Sequence, residues 1–230
     1  MSSKPATLSE QIRDIFLKNV YNETNAVMYN GGPECAKAST FEFKTSLSLR
    51  LIPWYIAGIY VFYKFVKTSD ERKSIKPHPN LLEKLMGIIC FICIAIQIYL
   101  KINSQTLIFI LNPCHVITLV WGIVLTSEYS KTTQILFLYA LSNIFNPWIG
   151  MVFAENDELE STLEVYSYWV QHVIAAFIAP MICLFGGRFA HKIYSHPLTI
   201  IVGFQIFSLY MRLFLTPVSA LTWANLNHTL

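Results

Sequence analysis

Charge is scarce in this sequence. Lys, Arg, Asp and Glu make up 13% of its 230 residues, about half of what a soluble domain carries. With 54% hydrophobic residues, 14% aromatic residues and a mean hydropathy of +0.45, that scarcity excludes a water-soluble globular domain. It points to an integral membrane protein. Cysteine is scarce as well. Of five, Cys90, Cys93, Cys114 and Cys183 lie in apolar runs and only Cys35 in a polar region, which excludes a disulfide framework. The opening residues are too polar for a cleaved signal peptide. Internal repeats and low-complexity tracts are missing too. The net charge of +3 is too small to call for a nucleic-acid partner, and its placement carries more information than its sum.

What is present is a series of long apolar runs. A span of about 20 apolar residues crosses the hydrocarbon core, and about six candidates occur, at 47–66, 85–100, 106–126, 132–154, 162–185 and 197–221. The expected fold is all-α, a polytopic transmembrane helical bundle whose third and fourth spans are broken at Asn112-Pro113 and Asn146-Pro147. Residues 1–46 read as a polar leader with a turn at Asn30-Gly31-Gly32-Pro33, residues 47–221 as one bundle, and residues 222–230 as a short tail.

Lys and Arg near span ends set orientation. Lys67, Arg72, Lys73, Lys76 and Lys84 flank the first connection, and Arg188 and Lys192 the last, whereas AENDELES (154–161) holds acids and no base. Both termini are therefore expected in the lumen. Two glycosylation sequons, Asn22-Glu23-Thr24 and Asn227-His228-Thr229, fall on that side.

The pentapeptide Leu111-Asn112-Pro113-Cys114-His115 interrupts the third run. Pro113 lacks an amide hydrogen and disfavours helix in the residue before it. A helix restarting here would take Asn112 as N-cap and Pro113 as its first residue, both favoured there. Cys114 would then be the second helical residue, among backbone N–H groups at the positive end of the dipole. That setting favours the thiolate, which is the reactive form. The same N–H groups, with Asn112 as cap and that of His115 among them, would stabilise an oxyanion beside the sulfur.

A base for Cys114 must come from elsewhere, because His115 lies about 100° round the helix from it. The fifth span supplies His172, preceded by Gln171. Both Cys114 and His172 would lie roughly 12–15 Å from the lumenal ends of their spans, at about 1.5 Å rise per residue. Asn143, Asn146 and Arg212 share this lumenal half. Intramembrane ionisable groups are costly and mark function by default, and a guanidinium matches phosphate oxygens in a fork. Asn146, Gln171 and Arg212 are therefore the candidate substrate-binding residues.

Plainer readings stand beside these, and on spacing alone they weigh more. Asn-Pro can simply kink a transport helix, a cysteine in an apolar span is usually a small core residue, and His172 can be a hydrogen-bonded interior histidine or a proton relay. Arg212 can pair with a carbonyl or glutamate. Tyr168 and Trp169 read as interfacial anchors. Cys90-Phe-Ile-Cys93 without a second pair is a weak metal signal, so neither a metal nor a cofactor is expected.

Several stretches together resemble the transmembrane protein 164 family of multi-pass acyltransferases. They are Asn30-Gly31-Gly32-Pro33-Glu34-Cys35-Ala36, Leu111-Asn112-Pro113-Cys114-His115 with Thr118, Gln171-His172-Val173, and Asn225-Leu226-Asn227. The resemblance is looser to the androgen-induced membrane hydrolases, which split fatty-acid esters with a Thr and a His. It implies transfer of a polyunsaturated fatty acyl group from a phospholipid donor onto an ether-linked lysophospholipid acceptor. It also implies that Cys114 carries the acyl group as a thioester and that His172 is its partner. Family members continue past Asn-Leu-Asn into a further hydrophobic segment, whereas this chain ends at Leu230. A non-catalytic membrane adaptor is the expectation if that end is authentic, and a broken-helix transporter is the other alternative. The endoplasmic reticulum and the Golgi fit equally, since no lipidation or retention signal closes the chain.

Overall fold

A computed structural model of the chain describes residues 41–68, 77–154, 161–186, 188–189, 197–222 and 224–226. Every regular element among them is helical. In order these are α1 (Phe41–Thr68), α2 (Leu81–Asn103), a 3₁₀ turn (Leu107–Leu111), α3 (Pro113–Thr126), α4 (Lys131–Ser142), α5 (Phe145–Val152), α6 (Thr162–Val173), α7 (Ala179–Gly186), α8 (Pro197–Tyr210) and α9 (Thr216–Thr222). Short π-helical turns join α6 to α7 (Ile174–Ile178) and α8 to α9 (Met211–Leu215). The sequons, the Asn30–Ala36 motif, Cys35, the acidic run and the basic residues Arg72, Lys73, Lys76 and Lys192 lie outside the described residues.

Four stretches, Leu81–Asn103, Lys131–Val152, Thr162–Gly186 and Ile201–Thr222, are long and apolar enough to cross a membrane, and Pro113–Thr126 is a shorter apolar helix. The fold is thus all-α and polytopic. The helix α1, at 28 residues, is long enough but is not among the four. It begins at Phe41, ahead of residue 47, so the end of the polar leader is helical.

Local chemistry explains the helix ends. The second span opens at Leu81 rather than 85 because Asn80 and Glu83 form a capping box. The Glu83 N–H donates to Asn80 Oδ1 at 2.9 Å, and the Asn80 N–H donates to Glu83 Oε2 at 2.8 Å. Replacing Asn80 with Ala should cost about 1 kcal/mol, read as a lowered unfolding midpoint; an unchanged midpoint would mean the box does not support the helix. At its other end α2 closes in a Schellman turn. Gln105 has φ 55°, and the Thr106 and Gln105 N–H groups bond back to Lys101 O and Ile102 O at 2.8 and 3.2 Å. Ser130 and Ser161 cap α4 and α6.

The prolines place the interruptions. The helix α3 restarts at Pro113, as the sequence predicts. In the fourth span, however, the break lies at Asn143 and Ile144, upstream of Asn146-Pro147. A proline removes the bond to the carbonyl four residues before it, and for Pro147 that carbonyl belongs to Asn143. It is taken instead by the Asn146 N–H and by Asn146 Nδ2, at 3.1 and 3.2 Å. Pro180 and Pro217 act similarly. Each follows a π turn, closed by Ala179 N–H to Ile174 O and by Thr216 N–H to Met211 O. The widened turn relieves the clash between the proline ring and the preceding turn.

The chain divides into two compact units. Met1–Leu51, Ile98–Asn112 and Leu209–Leu230 form one, and Ile52–Gln97 with Pro113–Ser208 form the other. The first unit has a small core of Ile108, Phe109, Leu215, Ala224 and Leu226. Within it Tyr210 donates its hydroxyl hydrogen to Leu111 O at 2.6 Å, and the Lys101 ammonium lies 5.8 Å from the centroid of the Phe109 ring.

The second unit holds the larger core. Trp121 meets Phe137 edge-on at 5.8 Å, and Phe137 stacks on Phe189 at 4.2 Å. Here α2 and α3 approach closely, since a methyl at Gly87 would lie 3.1 Å from Gly122 O, the small-residue packing that membrane helices favour. Arg188, which the sequence suggests only as an orientation charge, is buried. Its Nε donates to Glu83 Oε1 at 2.8 Å, while its other nitrogens donate to Val124 O and Ser127 O at the end of α3.

Candidate active site

Cys114 is the second residue of α3 and is half-buried. The residue before the helix, Asn112, has the extended backbone of an N-cap, with φ −59° and ψ 142°. Its side chain does not complete the expected cap. Asn112 Oδ1 is buried and has no hydrogen-bond partner among the described residues.

The first turn of α3 is instead held by a neighbouring helix through side chains. The Thr118 hydroxyl donates to Cys114 O at 2.8 Å. Gln171, from α6, donates its amide hydrogen to Thr118 Oγ1 at 3.1 Å. The same amide reaches His115 Nδ1, with its nitrogen at 2.9 Å and its oxygen at 3.1 Å. Gln171 and Thr118 are fully buried and His115 nearly so, so this network is shielded from solvent, where hydrogen bonds are electrostatically stronger than in water. Gln171→Leu would remove both amide contacts and should cost about 1–3 kcal/mol. Thermal unfolding of the variant measures this, and a parent-like midpoint would show that Gln171 does not hold the turn.

His172 follows Gln171 and is 2% exposed. Its Nδ1 lies 2.7 Å from Tyr168 O. A carbonyl oxygen only accepts, so Nδ1 carries the hydrogen and Nε2 of the neutral ring carries the lone pair. The ring lies 4.0 Å from that of Tyr168, tilted by 34°. On its far side it faces Gly150, where an added methyl would sit 2.7 Å from Nε2 and 2.8 Å from Cδ2. The Tyr168 hydroxyl donates to the Gly150 carbonyl.

Cys114, His115, Thr118, Asn146, Gln171 and His172 all belong to the larger unit. Gln171 joins His115 to Thr118, and His172 is held by Tyr168. Among the described residues no hydrogen bond joins the Cys114 thiol to the His172 ring; the bond His172 does make, to Tyr168 O, uses Nδ1 and leaves Nε2 with its lone pair. Asn146 uses its side-chain nitrogen on Asn143 O at the helix break. Arg212 lies in the π turn of the smaller unit, exposed, with no ion pair among the described residues. The described residues hold no group of three or more His, Cys, Asp or Glu placed to bind a metal.

Sequence reasoning missed Gly150, and it read Tyr168 as an interfacial anchor. It also missed the bond between Gln97 Nε2 and Ser167 Oγ, 2.9 Å, which ties α2 to α6. A signal for the last was present, since Gln97 is a lone amide within an apolar run. Gly150 carried no such signal.

Helices that are apolar, membrane-length and joined by a buried polar network place the chain among multi-pass α-helical membrane proteins. A family model described as the TMEM164 family matches residues 41–230, and the chain belongs to that family. No solved structure matches it.

Proposed function

We propose that this protein is a membrane acyltransferase that moves a polyunsaturated fatty acyl group from a phospholipid onto an ether-linked lysophospholipid through a thioester on Cys114. The observation that carries this reading is the pairing of a half-buried cysteine at a helix start with an adjacent helix that presents Gln171 and His172 side by side. Gln171 holds the first turn of α3, and His172 has its lone pair on Nε2, the nitrogen a general base uses.

In the first half-reaction, His172 Nε2 accepts the Cys114 proton as Sγ attacks the acyl carbonyl. The tetrahedral oxyanion draws on N–H groups at the start of α3. Its collapse breaks the ester bond, and the departing alkoxide takes the proton from His172. In the second half, His172 removes the proton of the acceptor hydroxyl, whose oxygen attacks the thioester. The Cys114 thiolate leaves and regains a proton from His172. Thiol and imidazole must approach for these steps, and catalytic hydrogen bonds that are loose without substrate commonly tighten when it binds. Transfer rather than hydrolysis requires that water be kept from the thioester.

Asn146, in the larger unit, is a proposed contact to the substrate, and Arg212, in the smaller unit, is by itself a proposed phosphate contact. Arg212 supports this assignment because it is a guanidinium exposed on an otherwise apolar stretch. The distribution of Lys and Arg supports lumenal termini, in the endoplasmic reticulum or Golgi.

The test uses purified protein and an alkyne-tagged polyunsaturated phospholipid. A hydroxylamine-labile adduct on Cys114 that passes to added lysophospholipid is the expected result. Folded protein that forms no adduct would overturn the reading.

A further inference from the structure

His172 is held from three sides, and none of the three contacts needs a substrate. Its Nδ1–H donates to Tyr168 O, its ring face lies on the Tyr168 ring, and its Nε2 edge fits against the bare Cα of Gly150. The Tyr168 hydroxyl then closes the loop by donating to the carbonyl of that same Gly150. The Tyr168 side chain therefore bonds to α5 at its tip and lies against the imidazole at a tilt, while the backbone carbonyl of the same residue orders the imidazole hydrogen. The three residues come from two helices, α5 and α6, that pack on each other within one unit.

We propose that Tyr168 and Gly150 are positioning residues that fix the ring of His172 and hold it as the Nδ1–H tautomer, with its lone pair on Nε2. Two features distinguish this from ordinary packing. First, the tautomer matters: a ring protonated at Nε2 would have a lone pair on Nδ1 facing a carbonyl oxygen, which is repulsive. Second, the space at Gly150 is already used by Nε2. Any side chain there, even a methyl, would approach that nitrogen more closely than real contacts allow and would turn the ring. A neutral histidine whose other nitrogen is fixed by a hydrogen bond is the arrangement in which general bases and metal-ligating histidines are commonly held. As a statement about catalysis, the inference rests on the acyltransferase reading. As a statement about His172, it does not.

The experiment compares the parent with Gly150→Ala and Tyr168→Phe in lipid nanodiscs, using ¹⁵N-histidine NMR, with the His172 signals assigned from His172→Asn. The parent should show the Nδ1–H tautomer. Gly150→Ala should lose it, because the ring is displaced from Tyr168 O. Tyr168→Phe keeps both the ring and the backbone carbonyl, so it retains the fold and should retain the tautomer but broaden the signals as α5 is released. In an active parent, Gly150→Ala should lower kcat by about 10²-fold with KM for the lysophospholipid unchanged, the effect of a misplaced catalytic group. An Nε2–H tautomer in the parent overturns the proposal. So does a tautomer, linewidth and kcat that neither variant alters, even if Cys114 still forms its adduct. Conversely, the expected spectra in a protein that forms no adduct would leave the His172 clamp standing and remove only the acyltransferase reading.

Discussion

Replacing Cys114 with Ala should lower acyl transfer by about 10³-fold or more, the scale on which removal of a covalent nucleophile is felt, while the protein remains folded. The expectation of intact folding follows from the local bonding. The Thr118 hydroxyl bonds to the carbonyl of Cys114 and not to its sulfur. Gln171 meets His115 and Thr118, so the turn keeps its ties when the sulfur is removed. Cys114→Ser is the stricter variant. It retains size and a nucleophilic atom but is a poorer leaving group from its acyl form, so it should accumulate an ester that hydroxylamine releases more slowly than the thioester. Mass spectrometry of the labelled peptide and transfer to lysophospholipid are read from the same sample. Parent-like transfer by Cys114→Ala would end the thioester mechanism.

The largest expected loss of stability is at Arg188. It is 1% exposed and faces Glu83, also 1% exposed, across 2.8 Å. The pair joins the start of α2 to the end of α3, since the remaining guanidinium nitrogens bond to Val124 O and Ser127 O. Those carbonyls lie at a helix end, where the helix supplies no partner. Arg188→Ala would leave a buried carboxylate without its counter-ion and should cost about 3–5 kcal/mol. Arg188→Lys should recover only part of this, because a single ammonium cannot reproduce the planar fork. The double variant Glu83→Gln with Arg188→Met should be more stable than Arg188→Ala alone, since it removes both charges together. Unfolding in detergent followed by circular dichroism measures all three. If Arg188→Ala unfolds within about 1 kcal/mol of the parent, below the cost of an orphaned buried charge, the pair does not hold these helices together.

Much of the helix pattern was legible in the residues. Apolar length marked spans at 85–100, 132–154, 162–185 and 197–221, close to the Leu81–Asn103, Lys131–Val152, Thr162–Gly186 and Ile201–Thr222 of the structure, because crossing hydrocarbon requires both apolar side chains and internally bonded backbone. The restart at Pro113 was legible because proline acts on its own backbone and on the residue before it. The second break was placed one turn late. Pro147 acts on the carbonyl of Asn143, and only the folded chain shows that Asn146 takes up that carbonyl. The start of α2 was missed because the apolar run was taken to begin at 85, after the loop charge Lys84, while Glu83 serves both the capping box and the Arg188 pair. Gln105 was invisible as a helix terminator, since the left-handed position there is usually taken by Gly or Asn.

Among the site residues, Cys114, Gln171 and His172 were chosen for their chemistry, and that choice needs only the order of residues. Which of them touch was another matter. Gln171 could have faced lipid, and His172 could have met the thiol. Sequence determines where the backbone must be helical, where proline interrupts it, and which stretches are apolar enough for lipid, because those effects act over a few residues. The tertiary structure alone decided that Gln171 spans His115 and Thr118, that Arg188 is a buried clamp, and that Gly150 leaves room for the edge of His172. Those contacts join residues far apart in the chain, and a side chain's partner there depends on how two helices are rotated and set against each other, which local sequence does not encode.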